Sequence, residues 1–259
     1  MSSQVYLTFP IVLLNKATVD IRQTCSDILD YCGFVEAKRI GENEPDTLTE
    51  LMEQAGTELE IQWGDSLASY NAGQRLFNKI PPRSPMTSIN HDIVFSYFEN
   101  HKTDFEIVTF LAYAAIRSII QTKPYVRITN DFLIARMAGY PTISSACNSV
   151  FSNDYKRNKI YGKKILYNVP PLIKNHSTRY RLDKIKSELQ AHWGLKLYGG
   201  TKHFPVHGFY VSFKKSLKEL VKIIEAKRIK NIQAKRKAEI DDALKEFQAE
   251  YFFSPNEQQ

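Results

Sequence analysis

Histidines, cysteines and paired carboxylates are the side chains that most often carry chemistry, and here their spacing assembles little of it. The six histidines, His91, His101, His176, His192, His203 and His207, are scattered. His203-Phe-Pro-Val-His207 has the four-residue step that aims two imidazoles at one metal on a helix, but Pro205 forbids that helix. Cys25, Cys32 and Cys147 fit no zinc framework. Cys25 and Cys32 share a helix face yet lie too far apart along its axis for a disulfide, so the cysteines read as small buried hydrophobes of a reducing compartment. No GxxxxGK(S/T) or GxGxxG phosphate loop and no Gly-x-Ser-x-Gly elbow is present. Neither a cofactor nor a metal is expected from these patterns, and no catalytic residue is assigned.

The cations tell more. Residues 1–100 hold 7 Lys/Arg against 14 Asp/Glu, and residues 101–259 hold 28 against 14, so the overall +7 conceals halves of −7 and +14. Such a chain is built to meet a polyanion with one part only. From Tyr155 to Lys186 ten basic residues stand against Asp183 alone: Lys156, Arg157, Lys159, Lys163, Lys164, Lys174, Arg179, Arg181, Lys184 and Lys186. Tyr155, Tyr161, Tyr167 and Tyr180 are interleaved with them. A strip of this kind suits phosphates, and six neutralised phosphates would give a log–log salt slope near roughly −5.

The elements that must position these cations follow from pattern and punctuation. Apolar content of 43% and aromatic content of 12% are those of a globular chain. Residues 5–14 alternate as a strand, and a helix over 18–32 stops at Gly33. Thr47-Leu-Thr-Glu50 is a capping box for a helix ending near Gly56, and Trp63 and Tyr70 should pack this region onto its neighbours. Lys79-Ile-Pro-Pro-Arg-Ser-Pro85 cannot be regular structure and reads as a linker. A helix over 88–100 follows, and a second capping box, Thr103-Asp-Phe-Glu106, opens a helix running to about Thr122. Then come a strand over 125–128, a helix over 131–138 stopped by Gly139, and a helix over 142–153. A basic strand over 163–169, a helix over 182–193 stopped by Gly194, a hairpin over 195–213 and one long helix over 214–252 complete the chain.

The fold class is thus α+β, helix-rich, with small β-hairpins and a long C-terminal helix. Three regions are expected: an acidic one over 1–80, a basic one over 86–213, and a charged helix with a polar tail over 214–259. The longest apolar runs are too short or too interrupted to span a bilayer, and the first residues lack the basic start and cleavage site of a signal peptide, so a cytoplasmic chain with no membrane partner is expected.

Residues 104–169 resemble the winged-helix superfamily of DNA-binding domains. Phe105–Gln121 matches the scaffold helix, Tyr125–Ile128 the small strand and Asp131–Ala138 the positioning helix. The Ala135-x-x-x-Gly139 spacing is similar to the helix-turn-helix signature. The next apolar positions fall one or two places late, so the turn at Tyr140-Pro141 must be longer than usual. The resemblance makes 142–153 the recognition helix, with Ser144, Ser145, Asn148 and Ser149 facing bases. Lys156, Arg157, Lys159, Lys163 and Lys164 then grip phosphates, with Arg179, Arg181 and Lys202 adding to the footprint. Residues 176–213 form a possible second unit whose hairpin tip carries Lys202 and His203. Tandem units of this kind resemble plasmid and phage replication initiators.

The leading expectation is a non-enzymatic nucleic-acid-binding protein, a duplex-DNA-binding regulator or replication-initiator-like factor of a bacterium or mobile element. One alternative is an interaction adaptor whose positive half binds an acidic protein. Another is a Mg²⁺-dependent nuclease, because Pro45-Asp46 with Glu58-Leu-Glu60-Ile-Gln62 loosely resembles the PD-(D/E)xK pattern. The tail helix, basic over 214–237 and acidic over 239–250, opposes its own macrodipole. Its late apolar residues, Ala243, Leu244, Phe247, Tyr251 and Phe252, suggest a homodimer mate or a protein partner.

Overall fold

The computed structural model describes residues 4–41, 47–146, 169–201 and 204–252. It is helix-rich with two small antiparallel sheets, as the α+β reading expects. Strand β1 (Tyr6–Pro10) buries Leu7 and Phe9 and leaves Tyr6 and Thr8 outside. It pairs with β2 (Met86–Asn90), Leu7 opposite Ile89 and Phe9 opposite Thr87. The alternation read over 5–14 ends early, because Ile11–Thr18 is a 3-10 helix. Ile11, Leu14 and Ala17 are buried at a three-residue spacing, which is the repeat of that helix.

Three helices follow: α1 (Ile21–Gly41), α2 (Leu48–Leu59) and α3 (Ser66–Lys79). The expected stop at Gly33 is wrong, since α1 runs straight through it. A Cβ at Gly33 would lie 2.5 Å from Met52 Cε and 2.5 Å from the Trp63 ring, so this glycine admits close neighbours and caps nothing. The Thr47–Glu50 capping box forms as read, and the Trp63 indole donates to the Met52 carbonyl at 3.0 Å. Trp63 and Tyr70 pack on Ala37, Leu51, Met52 and Ala55.

The proline-rich segment is irregular, with Arg83 in the left-handed region. The strands on either side of the acidic stretch pair with each other, and one hydrophobic cluster runs from Leu7 to Val211 across it. The helix expected over 88–100 starts late. Thr87 and Ile89 face inward as part of β2, and the Asn90 side chain then caps α4 (His91–Phe98), accepting from the backbone of Asp92 and Ile93.

Helix α5 (Asp104–Ile120) is the spine of the fold. Its Thr103–Glu106 capping box forms as read, and the backbone N–H of Thr103 donating to Glu106 holds that carboxyl below its ordinary range. Strand β3 (Val126–Ile128) leads into α6 (Asn130–Met137), capped by Thr129. Gly139 adopts a φ of 85° at the turn, and α7 (Ile143–Ala146) follows. The strand read over 163–169 lies outside the described residues apart from Val169, which is buried.

Then come α8 (Pro171–Asn175), α9 (Arg179–His192), β4 (Lys196–Thr201) and β5 (Phe204–Ser212). Helix α9 begins three residues earlier than read because Thr178 caps it, and Gly194 ends it with a φ of 68°. Strand β5 pairs with both β4 and β3, giving the order β3-β5-β4. The two stretches read as tandem units therefore share one sheet. Gly208 makes that possible: with a φ of 85°, a Cβ there would sit 2.4 Å from the Ile128 carbonyl oxygen. The last element, α10 (Leu217–Phe252), docks Leu220 and Ile224 on Tyr198 and then leaves the body.

Candidate nucleic-acid interface

Helix α9 is the described element that carries Arg179 and Arg181 of the expected site. Leu182, Ile185 and Leu189 are fully or almost fully buried and set one face against α5. At its C-terminal end Trp193 packs on Tyr113 at 4.6 Å and Phe110 at 5.7 Å, which fixes the helix direction. The opposite face carries Tyr180, Lys184, Ser187 and Ala191, all exposed, with Tyr180 69% accessible, and the exposed Arg179 and Arg181, two residues apart, flank it on either side. The Lys184 ammonium lies 4.9 Å over the Tyr180 ring.

The electrostatics of the first turn are unusual. Arg179 and Arg181 sit where the helix dipole is positive, and no acidic residue offsets them. The Thr178 hydroxyl accepts from the Arg181 N–H, so an anion placed there would meet the remaining N–H groups of the first turn and one of the flanking arginines. The Arg181 guanidinium is held by the Asn175 carbonyl of α8, which aims it along the surface. Lys186, one of the ten cations of the strip, is employed inside the fold instead. It is mostly covered, pairs with Asp183 at 3.1 Å and lies 4.5 Å over the Phe209 ring. That pairing also neutralises the strip's lone acidic residue.

Ser144 and Ser145 are exposed on α7, above a fully buried Ala146. The Ser145 hydroxyl is engaged in the helix start: it donates to the Thr142 carbonyl at 2.8 Å and accepts from the Thr142 N–H at 3.1 Å. Ser145 is therefore a capping group. Asn148, Ser149, Lys156, Arg157, Lys159, Lys163, Lys164 and Lys202 lie outside the described residues. Of the expected site, Arg179 and Arg181 both lie in the first turn of α9, on different sides of it. Lys184, which the sequence marks only as one cation of the strip, joins them.

Sequence reasoning also missed Arg136. Its guanidinium donates to Ser118 Oγ at 2.9 Å and to the Pro141 carbonyl at 3.0 Å, and it lies 5.0 Å from the Phe132 ring. It ties α6 to α5 and fixes the Tyr140-Pro141 turn, and burial lowers its pKa from the ordinary arginine value. A basic residue in a helix-turn-helix pattern looks like a phosphate contact; this one is a staple.

The carboxylates of the nuclease pattern adopt other conformations than that chemistry uses. Glu58 is in the last turn of α2 and Glu60 is its left-handed C-cap, where the pattern requires a strand. Asp46 lies outside the described residues. Among the described residues no three His, Cys, Asp or Glu side chains are grouped to hold a metal ion. Cys25 is half-buried and Cys32 buried, both as free thiols on α1, and burial pushes the Cys25 thiol up to about 11. No described helix is long and apolar enough to cross a membrane. Comparison of the chain with protein-family models, with curated proteins and with solved structures finds no match.

Proposed function

We propose that the chain is a duplex-DNA-binding protein of the winged-helix kind, a regulator or replication-type factor, in which α9 enters the major groove and the β4–β5 hairpin is the wing. The observation that carries this reading is that Arg179, Arg181 and Lys184 are all exposed around the first two turns of a helix that leads directly into the hairpin. The element order supports it. Scaffold helix α5, small strand β3, helix α6, helix α9 and hairpin β4–β5, with β3 beside β5, follow the winged-helix plan. In this arrangement residues 141–178 are inserted between the second and third helices, and α9 takes the role that the sequence reading gave to 142–153. The charge of residues 101–259, 28 Lys/Arg against 14 Asp/Glu, suits a polyanionic partner.

Fluorescence anisotropy with random duplex at about 50 and 200 mM salt tests this. Replacing Arg179, Arg181 and Lys184 with Ala should weaken binding and make the salt slope shallower by about 2–3, one phosphate contact per cation. The melting temperature should hardly move, because all three side chains are exposed. Unchanged affinity and slope in the triple variant, or no binding by the parent chain at either salt, overturns the assignment.

A further inference from the structure

Beyond its docked start, α10 carries a second feature that DNA contact does not explain. From Ile229 to Phe247 every residue is exposed. Ile229, Ile232, Ile240 and Leu244 stand on one side of the helix, each between 40% and 60% accessible. The pattern repeats every eleven residues, Ile229 to Ile240 and Ile232 to Ala243, a spacing that shifts an apolar stripe by only about 20° per repeat around a helix. A helical arm of this length, with its charges opposing its macrodipole and all its faces open to water, is marginal alone.

The charge order says what covers the stripe. Lys230, Lys235, Arg236 and Lys237 occupy the first half of the arm, and Glu239, Asp241, Asp242 and Glu246 the second, where Lys245 is the only cation. A parallel mate would set cations against cations. An antiparallel mate sets each half against its opposite, and the chain supplies both halves itself. We infer that a second copy of this chain covers the arm, antiparallel, about a two-fold axis near residue 238. In that register Ile232 meets Leu244 of the second copy, and Arg236 meets Ile240 of the second copy. The stripe is about 22 Å long at 1.5 Å per residue, and the pairing leaves one globular body at each end. This pairing is independent of what α9 binds.

Sedimentation equilibrium of the full chain at about 1 and 100 µM is the test, since a self-complementary pair assembles by mass action. The parent should pass from monomer to dimer across that range. Ile240→Lys with Leu244→Lys should raise the dissociation constant at least about tenfold. The same loss is expected when Lys230, Lys235 and Lys237 are all replaced by Glu. Adding Glu239→Lys, Asp241→Lys, Asp242→Lys and Glu246→Lys to that variant should restore the dimer, because the halves are again opposite. A parent that stays monomeric at the higher concentration overturns the inference, as does a dimer that survives the double-lysine variant. A dimer indifferent to charge reversal overturns its antiparallel order.

Discussion

Gly73 sits where α3 crosses α1, and adding a single methyl group there tests the helical layer. A Cβ at Gly73 would lie 2.2 Å from the Asp30 carbonyl oxygen and 2.5 Å from Phe34 Cβ. Comfortable heavy-atom contact begins near about 3.5 Å, so the two helices must part by roughly 1 Å. The obstacle is backbone, which cannot rotate away as a side chain can. Alanine gains about 1 kcal/mol in helix propensity over glycine, while overpacking costs ~1–3 kcal/mol. Separation also loosens the ring contacts of Phe34 with Tyr70 (5.1 Å) and Phe77 (5.4 Å) and of Tyr31 with Phe77 (6.2 Å). Each such pair is worth ~0.5–1.5 kcal/mol, so the net effect of Gly73→Ala should be a loss of about 2 kcal/mol. For a chain of this size that lowers Tm by about 4–8 °C. The control is Gly64→Ala, whose Cβ meets nothing within 4 Å and which should stay within about 0.5 kcal/mol of the parent. Urea denaturation followed by far-UV circular dichroism reads both variants. A Gly73→Ala chain as stable as the Gly64→Ala chain would refute the close crossing.

Two further outcomes follow from buried polar groups. The Asp30 carboxyl is held above its ordinary 3.8, first by burial and then by nearby Asp27, against opposing contacts from Ser69, Ser26 and Arg75. A raised folded pKa means that its stabilising contribution is complete below that ordinary value and is lost as pH rises through the folded one. Asp30→Asn should therefore raise Tm at neutral pH and leave it nearly unchanged near about pH 3.5; an equal shift at both would count against the burial. Arg136→Ala leaves the Pro141 carbonyl and the Ser118 hydroxyl without their donor, and chemical denaturation should show a loss of about 2 kcal/mol. A loss under about 0.5 kcal/mol would mean that the guanidinium staples nothing.

What was legible in the sequence was what local chemistry decides. Thr47 with Glu50 and Thr103 with Glu106 start helices because a hydroxyl and a carboxylate three residues apart satisfy each other's backbone, and no distant contact is needed. Gly139 and Gly194 end helices because their left-handed backbone suits glycine. Gly33 was misread for a reason the sequence cannot display: a glycine that admits Met52 and Trp63 looks the same as one that caps. Residues 88–90 were misread because Ile89, Ile93 and Tyr97 fit a helical stripe equally well, and only the pairing with β1 makes a strand of the first. The site arginines were legible only as charge: the sheet that their helix leads into forms by the pairing of β3 with β5, about eighty residues apart in sequence. Lys186 and Arg136 were counted or overlooked as cations without regard to Asp183, Ser118 and Pro141, which hold them within the molecule.

The pairing of β1 with β2 also has a consequence in time. Pro10 lies opposite Met86, so the whole of residues 11–85 leaves the sheet and returns to the same place. At translation rates of about 5–20 residues per second, the first strand leaves the ribosome on the order of 4–16 s before its mate exists. Throughout that interval Leu7 and Phe9, two of the most deeply enclosed side chains of the finished molecule, have no strand to close over them. A nascent chain with such an orphaned apolar edge is a natural client for a chaperone, and its yield should depend on how quickly the acidic helices fold and return β2 to it.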